Sequence, residues 1–152
     1  MRYLALTMIA ASLLTPGLAV GQDRSESDVR DRQLRRLVVG TWEDEYQGKR
    51  TMTLRDDGSG TMVVELSGVK AKLFAERLEF EMVWSLEKRR LKKRTLKGEP
   101  AVAVQLILKA MGDRVDEPIL ELTQDRLLLL DKDGKTKYDW RRARRPSSSS
   151  GS

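Results

Sequence analysis

Apolar and polar residues alternate along much of the stretch from 37 to 142. Over 77–86, Leu78, Phe80, Met82, Trp84 and Leu86 fall on one side, and Glu79 and Glu81 on the other. Strand side chains alternate faces with a period of two, so these five apolar groups share a face. A helix would scatter them around its circumference. Met62, Val64 and Leu66 repeat the rhythm over 61–66. Both runs predict half-buried antiparallel strands, with one face on a core and one in water. Similar runs at 38–46, 50–55, 91–96, 119–123, 127–130 and 136–142 bring the expected strands to about eight.

Turn residues punctuate these runs. Gln47-Gly48, Asp57-Gly58, Ser67-Gly68, Glu87-Lys88, Gln124-Asp125 and Asp133-Gly134 stand between them. Asp-Gly between alternating runs is a strong hairpin signal, because both residues tolerate the positive φ of tight turns. The stretch 69–76 fits a helical turn or an irregular crossover. The stretch 101–111 (AVAVQLILKAM) fits either period. Pro100 before it, Lys109 in its last turn and Gly112 beyond it favour a helix. The fold class expected is all-β and mainly antiparallel, a small up-and-down barrel or strongly curved sheet with one short helix.

The ends read differently. Arg2, the apolar run 3–14, Pro16-Gly17 and the small residues Ala19-Val20-Gly21 form the pattern of a secretory signal peptide over 1–21. The run is shorter than the roughly 20 apolar residues that span a bilayer. Cleavage after Gly21 is expected, with no transmembrane segment following. Residues 22–36 are highly charged and read as a solvated linker with at most one helical turn. Residues 143–152, basic and then Ser-rich, read as a disordered tail. The folded body expected is 37–142.

Composition narrows the chemistry. The 152 residues include no Cys and no His, and the net charge is +6. Without Cys there is no disulfide framework, thiolate nucleophile or Cys-ligated metal. Without His the commonest general base and transition-metal ligand are missing. No cofactor or metal site is expected. A Cys-free exported chain suits a bacterial periplasm or secretion from such a cell.

Gly40-Thr41-Trp42 opens the first strand, and Gly-x-Trp there resembles the first-strand signature of lipocalins and their bacterial lipocalin-like relatives. An Asp-Gly hairpin follows at Asp57-Gly58, then a second Trp strand at Trp84, a Leu-Thr-x-Asp-x-Leu run from Leu122 to Leu127, and a closing Tyr138-Asp139-Trp140-Arg141 strand. The resemblance spans 37–142. It implies that Trp42 sits at the closed end of a barrel, with Arg141 or Arg142 packed over it. It also implies that the protein binds a small apolar molecule.

The remaining candidates are weighed on their residues. Asp44 and Tyr46 share Trp42's face, and an inward Asp44 needs a partner such as Arg142 or Tyr138, unless a bulge leaves it in water. Glu79 and Glu81 could join Glu43 and Glu45, but a solvated acidic face explains them. Asp131-Lys132-Asp133-Gly134 fails the calcium-loop spacing, because Leu129 and Trp140 fall on ligand positions. Ser85-Leu86-Glu87-Lys88 lacks the helical spacing of a Ser-Lys dyad.

Two functions of different class result, both non-catalytic. In the first, an exported domain binds a small apolar or amphipathic ligand in or beside the barrel mouth, with Trp84, Phe80, Met82 and Met62 as lining candidates that fit a filled core equally well. In the second, an envelope-associated protein uses the basic run Lys88, Arg89, Arg90, Lys92, Lys93 and Arg94 to bind an anionic surface, either lipid or polyanionic glycan. No aromatic residue interleaves with that run, which argues against nucleic acid. A hydrolase ranks third.

Overall fold

The computed structural model describes residues 20–144. Within them, eight antiparallel strands close into a barrel in chain order. The strands are β1 (Gly40–Glu45), β2 (Lys49–Leu54), β3 (Ser59–Glu65), β4 (Arg77–Glu87), β5 (Arg90–Glu99), β6 (Arg114–Leu122), β7 (Arg126–Leu130) and β8 (Lys137–Arg142). Helix α1 (Val20–Val38) precedes them, α2 (Gly68–Leu73) joins β3 to β4, and α3 (Ala101–Met111) joins β5 to β6. Up-and-down connectivity puts α1 and the β2–β3, β4–β5 and β6–β7 turns at one end. The β1–β2 and β7–β8 turns lie at the other, with α2 and α3; this end is called the mouth below.

The period of two holds. Along β4, Leu78, Met82 and Trp84 are buried while Glu79, Glu81 and Val83 are exposed. The core is Trp42, Met52, Leu54, Trp84, Leu91, Ile119, Leu127, Leu129 and Trp140, joined by Val38 from α1. A second, smaller cluster lies toward the mouth, where Leu78 meets Ala103 and Val104 of α3. α3 reaches it because β5 carries Gly98. A Cβ there would lie 2.3 Å from the Glu79 carbonyl oxygen and 2.9 Å from both Val104 methyls.

Two expectations are corrected. There are three helices among the described residues, not one. Residues 22–36, expected as a charged linker, are helical within α1. The stripe Val29, Leu34, Leu37 and Val38 is too thin to stand out in the sequence, and only Val38 is buried. Charge order supports the helix instead. Arg35 and Arg36 occupy the last turn, where cations complement the helix dipole, and Glu26 pairs with Arg30 one turn on. The remainder comes from contacts with the barrel, described below.

α1 starts at Val20 and so spans the expected cleavage point; residues 1–19 of the signal-like segment lie outside the described residues. The tail from 145 onward also lies outside them. At its expected start the Ala143 N–H donates to the Thr41 carbonyl at 2.9 Å, and residues 143–144 are in no helix or strand.

Candidate functional site

The end occupied by α1 is sealed. Trp42 on β1 sits directly across from Arg142 on β8, at one of the two registered positions that close the barrel. Residues directly opposite share a face, so the Arg142 guanidinium lies over the Trp42 ring, with Cζ 4.2 Å from its centroid. It also donates to the carbonyls of Val39 at 3.1 Å, Leu37 at 2.6 Å and Gln124. Arg141, the other candidate for that cover, is opposite Glu43 and points outward to Asp139 at 3.0 Å. The cover is therefore Arg142, and the pleat decides it. Gly40 has φ +141°, and a Cβ there would meet Arg142 Nη1 at 2.3 Å, so the glycine has both a backbone and a packing reason.

α1 pins two turns at this end. Asp31 accepts the N–H groups of Lys88 and Arg89 at 2.9 and 3.3 Å, both residues having positive φ. Arg35 donates to the Asp56 carbonyl at 2.6 Å and lies 4.4 Å over Trp84. The Trp84 indole N–H is already used, by the carbonyls of Arg55 and Ser59 at 2.9 and 3.0 Å. Trp84 is thus a core residue of the sealed end.

Charge lies inside the barrel as well. Asp44, 6% exposed, faces Arg50 across the β1–β2 ladder. Arg50 holds it with both arms, Nε to Oδ1 at 2.9 Å and Nη2 to Oδ2 at 2.6 Å. The expected partners, Arg142 and Tyr138, do not bind it. Arg50 is ringed by Tyr46, Tyr138 and Trp140, with Cζ 5.1, 4.9 and 4.7 Å from their centroids. The Trp140 indole N–H is buried with no hydrogen-bond partner among the described residues. Burial, reinforced by the negative charge of Asp131, pushes the Tyr138 phenol up to about 12.

A second ion pair joins Lys93 to Glu117 at 2.8 Å, with both side chains under a tenth exposed. It is close but not aligned as a hydrogen bond, and the ammonium is directed instead at Met52 Sδ, 3.9 Å away. Besides Asp44, the other three members of these pairs also carry a signal in the alternation. Arg50 alternates in phase with Met52 and Leu54, Lys93 with Leu91, and Glu117 with Ile119.

The four lining candidates divide. Trp84 belongs to the sealed end. Met62 and Phe80 are half-buried and directly opposite one another on β3 and β4, and Met82 is buried opposite Gly60. Phe80 packs on the α3 cluster while Met62 packs on the main core, so this pair marks the seam between the two. Three of the four therefore line the inner wall of β3 and β4, beside or just below α3.

The basic run does not form one surface. Lys93 points inward, because it is opposite Trp84 and Val115 on the inner face. Arg90 pairs with Asp116 at 2.7 Å, and Arg89 donates to the Ile119 carbonyl at 3.0 Å. Lys92 pairs with Glu87, a contact that raises the lysine pKa and lowers that of the carboxyl. Arg94 has no ionic partner among the described residues. It lines a groove of about 460 Å³ on the outer wall of β4, β5 and β6, with Val83, Lys92 and Arg114. Two further hollows flank α1, one beside Lys88 and Arg89 and one beside Leu86 and Glu87. Among the described residues no group of three or more His, Cys, Asp and Glu is placed to hold a metal ion. No helix among them is long and apolar enough to cross a membrane.

No protein-family model matches the chain, and no curated protein is similar to it in sequence. Among solved structures, the barrel is similar to a lipocalin-like protein from Bacteroides uniformis ATCC 8492. The TM-score is 0.50 at 15% sequence identity, covering 70% of this chain and 99% of that one. With the closed eight-strand topology, this likeness shows a lipocalin-like barrel fold.

Proposed function

We propose that this chain is an exported, non-catalytic binding domain that takes a small apolar or amphipathic molecule at the barrel mouth, between α3 and the inner faces of β3 and β4. One observation carries the reading. The interior is split into two apolar clusters, and the mouth cluster is closed by a single helix that packs through Ala103 and Val104. A short helix laid over an apolar wall has fewer contacts to lose than any strand of the barrel, each of which is paired on both sides, so it separates more readily than the wall itself. Binding sites are lined mainly by apolar groups with few polar ones, which suits Phe80, Met62 and Leu78. Trp84 leaves the expected lining, because its ring and N–H are committed at the sealed end.

Titration with dodecanoic acid, followed by calorimetry, tests this. Saturable one-to-one binding is expected, and Met62→Gln, close to isosteric and half-buried, should weaken it several-fold. Native mass spectra of protein from its own host should then carry a lipid-like adduct. A bare mass together with no saturable binding removes the reading.

The second reading is an envelope-associated protein with an anionic glycan partner, and the outer-wall groove with Arg94 and Arg114 favours it. Heparin binding that falls with salt and is lost in Arg94→Glu/Arg114→Glu would support it. Retention of binding in that variant would remove it.

A further inference from the structure

We infer that the mouth end docks on a lipid surface carrying anionic headgroups, with α2 and α3 lying in the membrane interface. α2 buries none of its residues, and Val69 and Leu73 are 72% and 71% exposed. On α3 the stripe Ala103, Val104, Ile107 and Leu108 faces the barrel. The opposite side presents Val102 and Leu106, with Met111 at the end of the helix. Isolated exposed apolar residues are ordinary on a soluble surface; a concentration of them on two short helices is not. The helices belong to one end of the molecule, since Leu66 and Ala75, which flank α2, pack in the same cluster as α3.

Charge selects the partner. Lys70 and Lys72 are on α2 and Lys109 is on α3, and neither helix carries an Asp or Glu. The Lys70 ammonium donates to the neutral Gln47 side chain at 3.0 Å. Of the acids nearby, Glu65 and Glu79 are bridged by Arg77, Glu81 by Lys97 and Asp113 by Arg114 at 4.0 Å, while Glu76 and Glu99 flank the helices. Apolar side chains mixed with lysines, whose stems are apolar and whose heads are cationic, form the composition that settles at a headgroup boundary. A partner protein core would match the apolar part and leave the lysines without counter-charge. The inference does not depend on the ligand reading, because dodecanoic acid binding and vesicle docking are measured separately and use different faces of α3.

The test is flotation of the full chain with vesicles of phosphatidylcholine alone and of an equal mixture with phosphatidylglycerol. Binding to the mixed vesicles is expected, and it should weaken as salt rises. Leu73→Gln/Leu106→Gln, both exposed and away from the core, should lower binding about tenfold while leaving the circular dichroism unchanged. Lys72→Glu/Lys109→Glu should lower it on mixed vesicles only. The inference is overturned if no vesicles are bound, or if both variants bind like the parent, which would place docking elsewhere in the chain. It is also overturned if the apolar patch instead holds two copies together, seen as a dimer that Leu73→Gln/Leu106→Gln splits while vesicle binding persists.

Discussion

Arg142 lies over Trp42 at 4.2 Å and ties three backbone carbonyls around it, so one side chain closes both the seam and the sealed end of the barrel. Removing it takes away a cation–π contact and three charge-assisted bonds to carbonyls, the one to Val39 part-buried and those to Leu37 and Gln124 exposed. Arg142→Ala should therefore cost about 3 kcal/mol. Arg142→Lys keeps the charge but cannot reach three carbonyls while lying flat on the indole, and should recover less than half of that. Urea unfolding midpoints of the three proteins check this ordering. Arg141→Ala, on the outer face, should leave the midpoint nearly unchanged. If it lowers stability as much as Arg142→Ala does, the assignment of the cover is wrong.

Lys93 and Glu117 face one another inside the barrel with little access to water. Breaking such a pair from one side strands the other charge, so Lys93→Met and Glu117→Leu should each cost roughly 3–5 kcal/mol. The double variant leaves neither charge behind. It should unfold within about 1 kcal/mol of the parent, or later. A double-mutant cycle on denaturation midpoints measures this, and additive losses would show that the two do not act as a pair.

Tyr138 gives a dependence on high pH. Its phenol is held up to about 12 in the folded protein, against about 10 in an unfolded chain. A raised folded value means that the native state keeps its proton after the unfolded chain has lost it. This contribution is therefore whole below about pH 10 and is lost as pH rises from there through about 12. Spectrophotometric titration of phenolate should show a late step from Tyr138. Tyr138→Phe should remove that late step and flatten the alkaline fall in stability.

The strands were legible because their cause is local. Leu78, Phe80, Met82, Trp84 and Leu86 alternate on any regular strand, whatever lies across from them. α3 was legible through its end signals, Pro100 and Gly112. α1 was not, since Val29, Leu34 and Leu37 make a narrow stripe. Its contacts at Asp31 and Arg35 join residues more than twenty positions apart. Of the candidate lining, the sequence showed faces. Met62, Phe80 and Met82 were read onto one wall, and the lipocalin-like resemblance drawn from Gly40-Thr41-Trp42 agrees with the fold. Alternation left Trp84 open as core or lining, because it gives a face but not a height along the barrel; the fold puts it in the core. The arrangement of the basic run was hidden for a related reason. A row of like charges does not show that Lys93 turns inward while Arg90 and Lys92 turn to carboxylates on neighbouring strands.

By itself, the sequence determined that about eight strands form, where most turns fall, and which side chains share a face, because the pleat and the turn dihedrals act over a few residues; the first half of β6, 114–118, was not among the strands it showed. Only the tertiary structure decided that Arg142 covers Trp42, that Asp44 is held by Arg50 and Glu117 by Lys93, and that α2 and α3 share one end. Those outcomes depend on register and closure. Both arise when distant strands align, and a shift of one residue would turn every inward side chain out.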